Sequence, residues 1–427
     1  MQTELDFLEK LLRKGLSPHH AAKAAAEELE AAGFTALDPA ASWDLAPGKY
    51  YFVYATTVIA FVVHGPLGTE GFRLAAAHID WPCMRVKPAP EMSAEGYGRL
   101  NAEPYGGLIN YSWLDRPLGA AGVVCVKGES PFAPQIRLFA SEGAIAVAPS
   151  LAIHQNREVN KSAEFNRQVD LLPLALRQVP EGDSKWFYTY LAERLGCAPE
   201  DILDFDLSLY NAEEPCAAGL DGSLYSAPRL DDLTCAAAGL WGILRAERSH
   251  GVSVCILFDH EEIGNGTRQG AGSVLLPRML EKIAVSLGDT PQEAADRLMR
   301  SFLLSMDVGH AVHPAHPEKA DLTNRPRLGG GVLIKTASAQ SYATDPAGIS
   351  VVEGLCRAHD IPHQRFVNRS DVTGGGTLGN AAAEKIPALT VDVGIPLLAM
   401  HSARELMAAQ DQQALCSLVT AFYREES

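Results

Sequence analysis

Four apolar runs of this chain each end in side chains that bind metal ions. The runs are FRLAAAHID, VSVCILFDHEEIG, FLLSMDVGHAVH and ALTVDVGIPLLAMHS, and their polar residues include His78, Asp80, His260, Glu261, Glu262, Asp307, His310, Asp392 and His401. Short runs rich in Val, Ile, Leu and Phe are typical of buried strands. In an open α/β sheet, the active site lies beyond the carboxyl ends of the strands. The pattern therefore predicts that carboxylates and imidazoles gather at one edge of a sheet.

Such a gathering of side chains requires a compensating cation. An unpaired buried charge is costly, and a divalent metal ion is the simplest partner for several carboxylates at once. Dinuclear hydrolysis needs a carboxylate that bridges two cations, terminal His and Asp or Glu ligands, and a free carboxylate as base. Two cations about 3.5–4 Å apart polarise a scissile carbonyl and lower the pKa of the attacking water. The residue types in these four runs are the ones that this chemistry uses.

Two short motifs fit this chemistry in different ways. In the pair Glu261-Glu262, one carboxylate can face a metal while its neighbour faces the water, because adjacent side chains of an extended segment point apart. A glutamate pair alone is a weak signal, and here it gains weight from the apolar run before it and the Gly-rich turn after it. His78 and Asp80 lie on one side of an extended segment, so Asp80 can support the imidazole from behind. The alternative is a His-Asp pair that is satisfied within a loop.

The composition limits the classes of protein to which this chain can belong. The chain has 427 residues, enough for two or three domains with a large core. Its formal net charge of −16 argues against nucleic acid as the main partner. The eight cysteines contain no CxxC pair, which favours free thiols in a reducing cytoplasm. The N-terminus lacks the apolar core of a secretory signal, and no stretch approaches the ~18 apolar residues of a membrane span, so we expect no membrane partner.

Hydrophobic periodicity and helix-breaking residues predict the order of helices and strands. We expect helices at 4–14, 18–32, 185–196, 232–248, 275–287, 291–301, 346–359 and 403–424. We expect one or two strands in 49–65 and further strands at FRLAAAHID, 203–211, 252–258, 302–308 and 388–393. Short β-like runs occur in AGVVCVKG, QIRLFAS and AIAVAPSLAIH, and the polar segment 155–170 reads as a long loop.

This order of elements indicates two domains. An α/β pattern occupies residues 1–90 and resumes at 231–427, and a β-rich block lies between them. The sequence therefore predicts an α/β/α catalytic domain that is interrupted by an inserted β-rich domain at 91–230. The metal-ligand candidates occur in both flanking parts, so they must converge in the α/β domain.

Several ordered motifs resemble the aspartyl aminopeptidase family of dinuclear zinc exopeptidases. The matching segments are AAHIDWPCMRVKP, YGGLINYSWLDRPLGAAGVV, DLSLYNAEEPCAAGLDGSLYSAPRLDDL, FDHEEIGNGTRQGAGSVLLPRML, SMDVGHAVHPAHPEK, RLGGGVLIKTASAQSYATD and TVDVGIPLLAMHSARE. They run in family order from about residue 75 to 405. The resemblance implies a metalloaminopeptidase that removes N-terminal residues, acidic ones among them, from peptides.

The resemblance also implies roles for individual residues. The first zinc would be bound by His78, Asp231 and Asp307, and the second by Glu262, Asp231 and His401, with Asp231 as the bridge. Glu261 would be the general base, and Asp80 would stand behind His78. In the related fold a non-proline cis peptide follows the bridging aspartate, which here is Asp231–Asp232. Spacing alone does not single out Asp231, since PRLDDLTCAAAGL otherwise reads as a helix start with acidic caps.

Members of the family assemble through their inserted domain. The resemblance implies dimers that form a tetrahedral dodecamer, in which a loop histidine, here His154, reaches the site of a neighbouring subunit. An interface histidine with no role in catalysis is the alternative for His154.

The sequence departs from the family at two segments. RSDVTGGGTLGN (369–380) replaces a cysteine-containing loop, and SAQSYATD (338–345) has Ser341 where the family has arginine. Lys335 remains available to pair a substrate carboxylate, so we expect cleavage of acidic N-termini alongside a broader range.

Two other functions compete with the aminopeptidase. One is a related dinuclear deacylase of acylated amino acids or peptides, and the other is an inactive shell that keeps the fold for assembly.

Overall fold

The structure is a computed structural model that describes residues 2–162, 164–372 and 374–426. Its α-helices are α1 (Glu4–Lys14), α2 (Pro18–Ala31), α3 (Trp186–Leu195), α4 (Leu230–Ile243), α5 (Leu275–Ser286), α6 (Pro291–Met299), α7 (Pro346–Ala358), α8 (Leu378–Ala383) and α9 (Ala409–Arg424). The predicted start of α2 is confirmed: the Ser17 side chain accepts the N–H of His20, and Pro18 occupies the first turn, where no N–H is needed.

The strands are longest in the middle of the chain. They are β1 (Thr35–Ala36), β2 (Gly48–Tyr54), β3 (Thr57–Val63), β4 (Arg73–His78), β5 (Cys83–Ala94), β6 (Tyr97–Tyr105), β7 (Leu118–Ser130), β8 (Ala133–Ala140), β9 (Leu174–Leu176), β10 (Ile202–Asn211), β11 (Cys216–Ala218), β12 (Leu224–Ala227), β13 (Val252–Phe258), β14 (Phe302–Met306), β15 (Gly309–His310), β16 (Val332–Lys335), β17 (His363–Phe366), β18 (Leu389–Gly394), β19 (Pro396–Leu397) and β20 (Glu405–Ala408).

In the described part of the chain, the largest sheet has nine strands in the order β1-β2-β3-β13-β4-β14-β18-β16-β17. Four neighbouring strands at its centre, β13, β4, β14 and β18, run parallel. Alternate residues of β4 face opposite layers: Ala75 and Ala77 pack in a core with α1, α4 and α9, whereas Leu74 and Ala76 pack in a core with α5 and α8. The chain is therefore an α/β protein with helices on both faces of this sheet, as predicted.

A second sheet of six strands shares no strand with the first. Its order is β8-β7-β10-β5-β6-β9, and every pair in it is antiparallel. Its strands all come from the stretch between Cys83 and Asn211, which is flanked on both sides by strands of the nine-stranded sheet. Among the described residues, no helix is both long enough and apolar enough to cross a membrane.

Two sequence predictions of elements are wrong. The helix predicted at 403–424 begins only at Ala409, because Glu405–Ala408 pairs with β12 as strand β20. Long-range pairing overrides helical periodicity there, a choice that local propensity cannot register. The β-like run AIAVAPSLAIH forms only isolated bridges at residues 146–148, since Pro149 cannot donate to a ladder. The predicted loop 155–170 consists of turns and coil in its described residues, and Ala163 lies outside them.

Candidate metal centre

The ends of three parallel strands bring four of the predicted side chains together. His78 is the last residue of β4 and pairs in register with Phe258, the last residue of β13, so Glu261 and Glu262 follow directly beyond it. Asp307 follows β14, which lies on the other side of β4. Because the carboxyl ends of parallel strands meet at one edge of a sheet, these side chains converge there.

Two further predicted residues reach the same place from other elements. Asp231 lies at the start of α4, where it and Asp232 depart from helical dihedral angles and the peptide bond between them is cis, as the resemblance implies. His401 lies in a turn after β19, with φ of 66°. Potential ligand atoms within 4.8 Å of one another form three groups: His78, Asp231, Asp232 and Asp307; His78, Glu261 and Glu262; and Asp231, Glu262 and His401.

The carboxylate of Asp231 faces two histidines with different oxygens. Its Oδ1 lies 3.4 Å from Nε2 of His78, and its Oδ2 lies 3.3 Å from Nε2 of His401. Glu262 Oε1 is 3.5 Å from the same His401 nitrogen. Two ligands of a tetrahedral zinc ion with bonds of about 2.0 Å are about 3.3 Å apart. The spacing of these atoms therefore fits ligands that share a metal ion on each side of Asp231.

Several carboxylate oxygens of this cluster lack a hydrogen-bond donor and could bind cations instead. Among the described residues, nothing donates a hydrogen bond to three buried oxygens: Asp231 Oδ1, Glu262 Oε1 and Oδ1 of the neighbouring Asp232. A buried carboxylate oxygen without a donor is costly, and a metal ion would satisfy it. The residues present thus fit divalent metal ions.

The two histidines are held as the neutral ligand form requires. Nδ1 of His78 lies 3.0 Å from the carbonyl oxygen of Asp80, and Nδ1 of His401 lies 3.0 Å from the carbonyl oxygen of Gly107. A carbonyl only accepts, so each Nδ1 carries a proton and Nε2 is the ring atom left to face a metal ion. A Cβ on Gly107 would lie 3.2 Å from Nδ1 of His401, and one on Gly106 would lie 3.2 Å from Cβ of Glu262. The glycine pair thus permits this close approach.

Two buried carboxylates support the ligands from behind. Asp80 accepts the N–H groups of Glu261 and Glu262 at 3.1 and 3.2 Å, and its own exposure is 0%. Glu405 accepts the N–H of Asp231 at 3.0 Å and the N–H of His401 at 2.9 Å. Each carboxylate therefore fixes the backbone of two residues of the cluster.

The protein alone leaves this cluster short of positive charge. Burial alone would lower the pKa of His78 and of His401, but the surrounding aspartates raise the pKa of His78 well above its ordinary value and that of His401 to about 9. Burial would raise the pKa of Asp231, but the two imidazoles that face its carboxylate lower it. Burial and neighbouring carboxylates raise the pKa of Glu261 to about 8 and that of Glu262 well above its usual range. Divalent cations would remove this deficit.

A cavity of about 320 Å³ opens beside the cluster. Its walls include Lys335, His310, Tyr342 and Phe366 as well as the ligand candidates. Lys335 is buried, and its Nζ is 3.7 Å from Asp307 Oδ2. Burial alone would lower the pKa of Lys335, but the Asp307 carboxylate raises it above its ordinary value, so the lysine is a cation at neutral pH.

A second, more open cavity of about 630 Å³ adjoins the first. The two share Glu261, Glu262, Gly376 and Thr377. Both segments that depart from the family contribute to these walls. Ser341 and Tyr342 come from one segment, and Gly375 and Gly376 come from the other. Thr373 of that loop lies outside the described residues.

His310 lines the smaller cavity but belongs to none of the three ligand groups, and three further histidine or aspartate candidates do not join the cluster either. His154 is an exposed residue of a turn and belongs to none of the three ligand groups. His260 turns away, and its Nδ1 lies 2.9 Å from Thr267 Oγ1. Asp392 is buried and accepts hydrogen bonds from Ser305, Thr377 and the N–H of Ala343.

Sequence reasoning missed three residues that the structure places around the cluster. They are Asp232, Glu405 and Tyr105. For Asp232 and Glu405 a signal existed, because each is a carboxylate next to an apolar run and close in sequence to a ligand candidate. Tyr105 offered no signal beyond its place at the start of the matched YGGLINYSWLDRPLG motif.

Comparisons with known proteins agree with this geometry. The family model for aminopeptidase I zinc metalloproteases (M18) matches residues 11–423. A probable M18 family aminopeptidase 2 of Clostridium novyi (strain NT) is 39% identical over 431 residues, which cover 99% of this chain and 100% of that protein. The M18 aminopeptidase of Thermotoga maritima superposes with a TM-score of 0.87 at 25% identity, covering 98% of this chain and 95% of that one.

A dodecameric relative has the same fold. The S. cerevisiae mApe1 dodecamer superposes with a TM-score of 0.85 at 26% identity, covering 98% of this chain and 96% of that one. These matches span nearly the whole chain and do not favour the deacylase or the inactive shell. The chain therefore belongs to the M18 family of zinc metalloproteases and is a metal-dependent aminopeptidase.

Proposed function

We propose that this aminopeptidase uses two zinc ions, which would be held by residues on the two sides of Asp231. The observation that carries the proposal is the orientation of the Asp231 carboxylate, whose oxygens face His78 and His401 at 3.4 and 3.3 Å. His78, Asp231 and Asp307 would hold one ion, and Asp231, Glu262 and His401 would hold the other. When bound, such a pair of ions polarises the scissile carbonyl and lowers the pKa of the attacking water. Imidazole and carboxylate donors suit zinc.

Glu261 is the proposed general base. It lies beside the ligand Glu262, and its backbone N–H is fixed by Asp80 at 3.1 Å. In the reaction Glu261 would accept a proton from the attacking water and then donate it to the leaving amine. The adjacent Glu262 has the same side-chain chemistry but faces His401, so the two glutamates would divide ligation and proton transfer between them.

The two cavities suggest where the substrate lies. We place the N-terminal residue of the peptide in the 320 Å³ cavity beside Lys335 and the leaving peptide in the open 630 Å³ cavity. The Lys335 cation would pair with an Asp or Glu side chain, whereas Tyr342 and Phe366 provide apolar walls for other residues. Acidic N-terminal residues would thus be accepted alongside a broader range.

We also propose that residues 91–230 form an inserted domain that assembles the protein into homo-oligomers, as dimers within a dodecamer. The dodecamer of the yeast relative supports this state, and so do exposed apolar residues on the second sheet, among them Phe132 at 100% exposure and Ile136 at 67%. His154 would then act in the site of a neighbouring subunit, so dissociated protomers should fold but be inactive. The eight free thiols are consistent with work in the cytoplasm.

Glu261→Gln tests the mechanism, because glutamine keeps the shape of the side chain but accepts no proton. We expect activity to fall by at least ~10² while two metal ions per subunit are retained. Glu27→Gln, in another consecutive glutamate pair on α2, is the matched control and should keep normal activity. Near-normal turnover of folded, metal-loaded Glu261→Gln would refute the assignment.

A further inference from the structure

The carboxylate that fixes Glu261 and Glu262 is itself held by a tyrosine. Asp80 accepts three hydrogen bonds: the N–H of Glu261 at 3.1 Å, the N–H of Glu262 at 3.2 Å and the hydroxyl of Tyr105 at 2.6 Å. The tyrosine bond is the shortest of the three, and it shares Oδ2 with the N–H of Glu262. A short bond to a charged acceptor is a strong one, so Tyr105 largely sets the orientation of the carboxylate.

Tyr105 belongs to the second sheet, whereas Asp80 lies in the segment between β4 of the first sheet and β5 of the second. Tyr105 is the last residue of β6 and is 7% exposed. The Arg85 guanidinium lies 4.2 Å from the centre of its ring, and Arg85 Nη1 donates to Asp206 Oδ1 at 2.7 Å. The ring therefore packs against Arg85 of β5, which Asp206 of β10 in the same antiparallel sheet holds in place.

The hydroxyl is a donor under all working conditions. Burial, followed by the charges of Asp80 and Asp259, raises the pKa of Tyr105 far above its ordinary value. The hydroxyl therefore keeps its proton, and Asp80, which is buried and faces it, can only accept.

We propose that Tyr105 is a positioning residue, whose hydroxyl holds Asp80 in the orientation that fixes the backbone of Glu261 and Glu262. The proposal rests on the roles of those two glutamates given above. Without the hydroxyl, Asp80 Oδ2 would keep only the weaker bond from Glu262, and the carboxylate would rotate more freely. The positions of the proton-accepting Glu261 and the ligand Glu262 would then both be less well fixed. In this way the second sheet contributes to the site although it supplies none of the proposed ligands.

Tyr105→Phe tests the proposal, since it removes one oxygen atom and keeps the ring beneath Arg85. We expect kcat to fall by about tenfold, KM to stay within about twofold, and zinc to leave for a chelator about tenfold faster, because partners of metal ligands typically contribute ~10–100-fold. The matched control is Tyr51→Phe, whose buried hydroxyl donates to Glu30 at 2.5 Å far from the cluster in sequence. That variant should keep kcat and the zinc release rate.

A kcat and zinc release rate of Tyr105→Phe within twofold of the wild type would overturn the proposal. Equal losses in Tyr105→Phe and Tyr51→Phe would overturn it too, since they would indicate a general effect on stability. If Tyr105→Phe does not fold, Arg85→Lys decides, because lysine keeps a charge for Asp206 but cannot stack on the ring. That variant should lower kcat without changing KM, and an unchanged kcat would overturn the proposal. Glu261→Gln assayed in parallel separates this outcome from failure of the proposed mechanism.

Discussion

The two halves of the metal centre use similar side chains in unequal surroundings. On one side of Asp231, the His78 side chain is 1% exposed and ends a central strand. On the other side, the His401 side chain is 32% exposed, lies in a turn and depends on the carbonyl of Gly107 for its orientation. A ligand on a buried strand is held more rigidly than one in a turn. The half around His78 should therefore bind its ion tightly, and the half around His401 should exchange its ion.

The largest effect should come from a change that affects both halves of the metal centre at once. Asp231 belongs to both halves, so Asp231→Asn should lose at least one of two ions and lower activity by more than ~100-fold, since even outer partners of ligands contribute ~10–100-fold. Metal content per subunit and turnover measure this. Asp221→Asn, at an exposed turn, is the control and should be normal. A variant at Asp231 that keeps two ions and normal turnover would show that Asp231 does not bridge.

Changing one histidine at a time sharpens the difference between the halves. His78→Ala leaves the buried Asp80, Asp231 and Asp232 without their imidazole partner and should destabilise the fold by ~3–5 kcal/mol. His401→Ala should lose its ion and its activity but unfold close to the wild-type temperature, because its side chain is partly exposed. Thermal unfolding and metal analysis of both variants provide the test. Equal destabilisation by the two changes would contradict the proposed asymmetry.

Metal removal from the unaltered protein tests the same asymmetry kinetically. A chromophoric chelator should withdraw the zinc in two phases of equal amplitude, with rates that differ by about tenfold or more, a spread typical of ligands held with different rigidity. The fast phase should be missing in His401→Ala. A single phase that accounts for two ions would show that the two halves are equivalent.

The smallest effect should come from Lys335, which lies 3.7 Å from Asp307 of the tighter half. Lys335→Ala should lower kcat/KM for glutamyl and aspartyl reporters by about tenfold relative to leucyl and alanyl ones, as expected for a charge-assisted hydrogen bond of ~1.5 kcal/mol. A panel of five aminoacyl reporters, lysyl included, measures the change. If every substrate responds equally or not at all, Lys335 serves the structure of the site and not its specificity.

The local pattern of the sequence is enough to predict which residue types end the central strands. His78, Glu261, Glu262 and Asp307 follow apolar runs, and parallel strands necessarily present such residues at one edge. The ordered motifs then predicted the family, and through it the position of Asp231 beside the other candidates and the cis bond after it. These inferences succeeded because they depend on local pattern, or on many matches in a fixed order.

How the remaining side chains are used depends on contacts that form in the folded protein. His260 follows an apolar run as His78 ends one, and Asp392 lies within another, yet each is satisfied by hydrogen bonds away from the cluster. Glu405 lies in β20 because Ala227 of β12, 178 residues earlier in the chain, pairs with it, although the local pattern favours a helix. Tyr105 of the second sheet reaches Asp80 in the segment between the two sheets. Each of these outcomes depends on contacts between segments far apart in the chain, and periodicity within a segment carries no record of them.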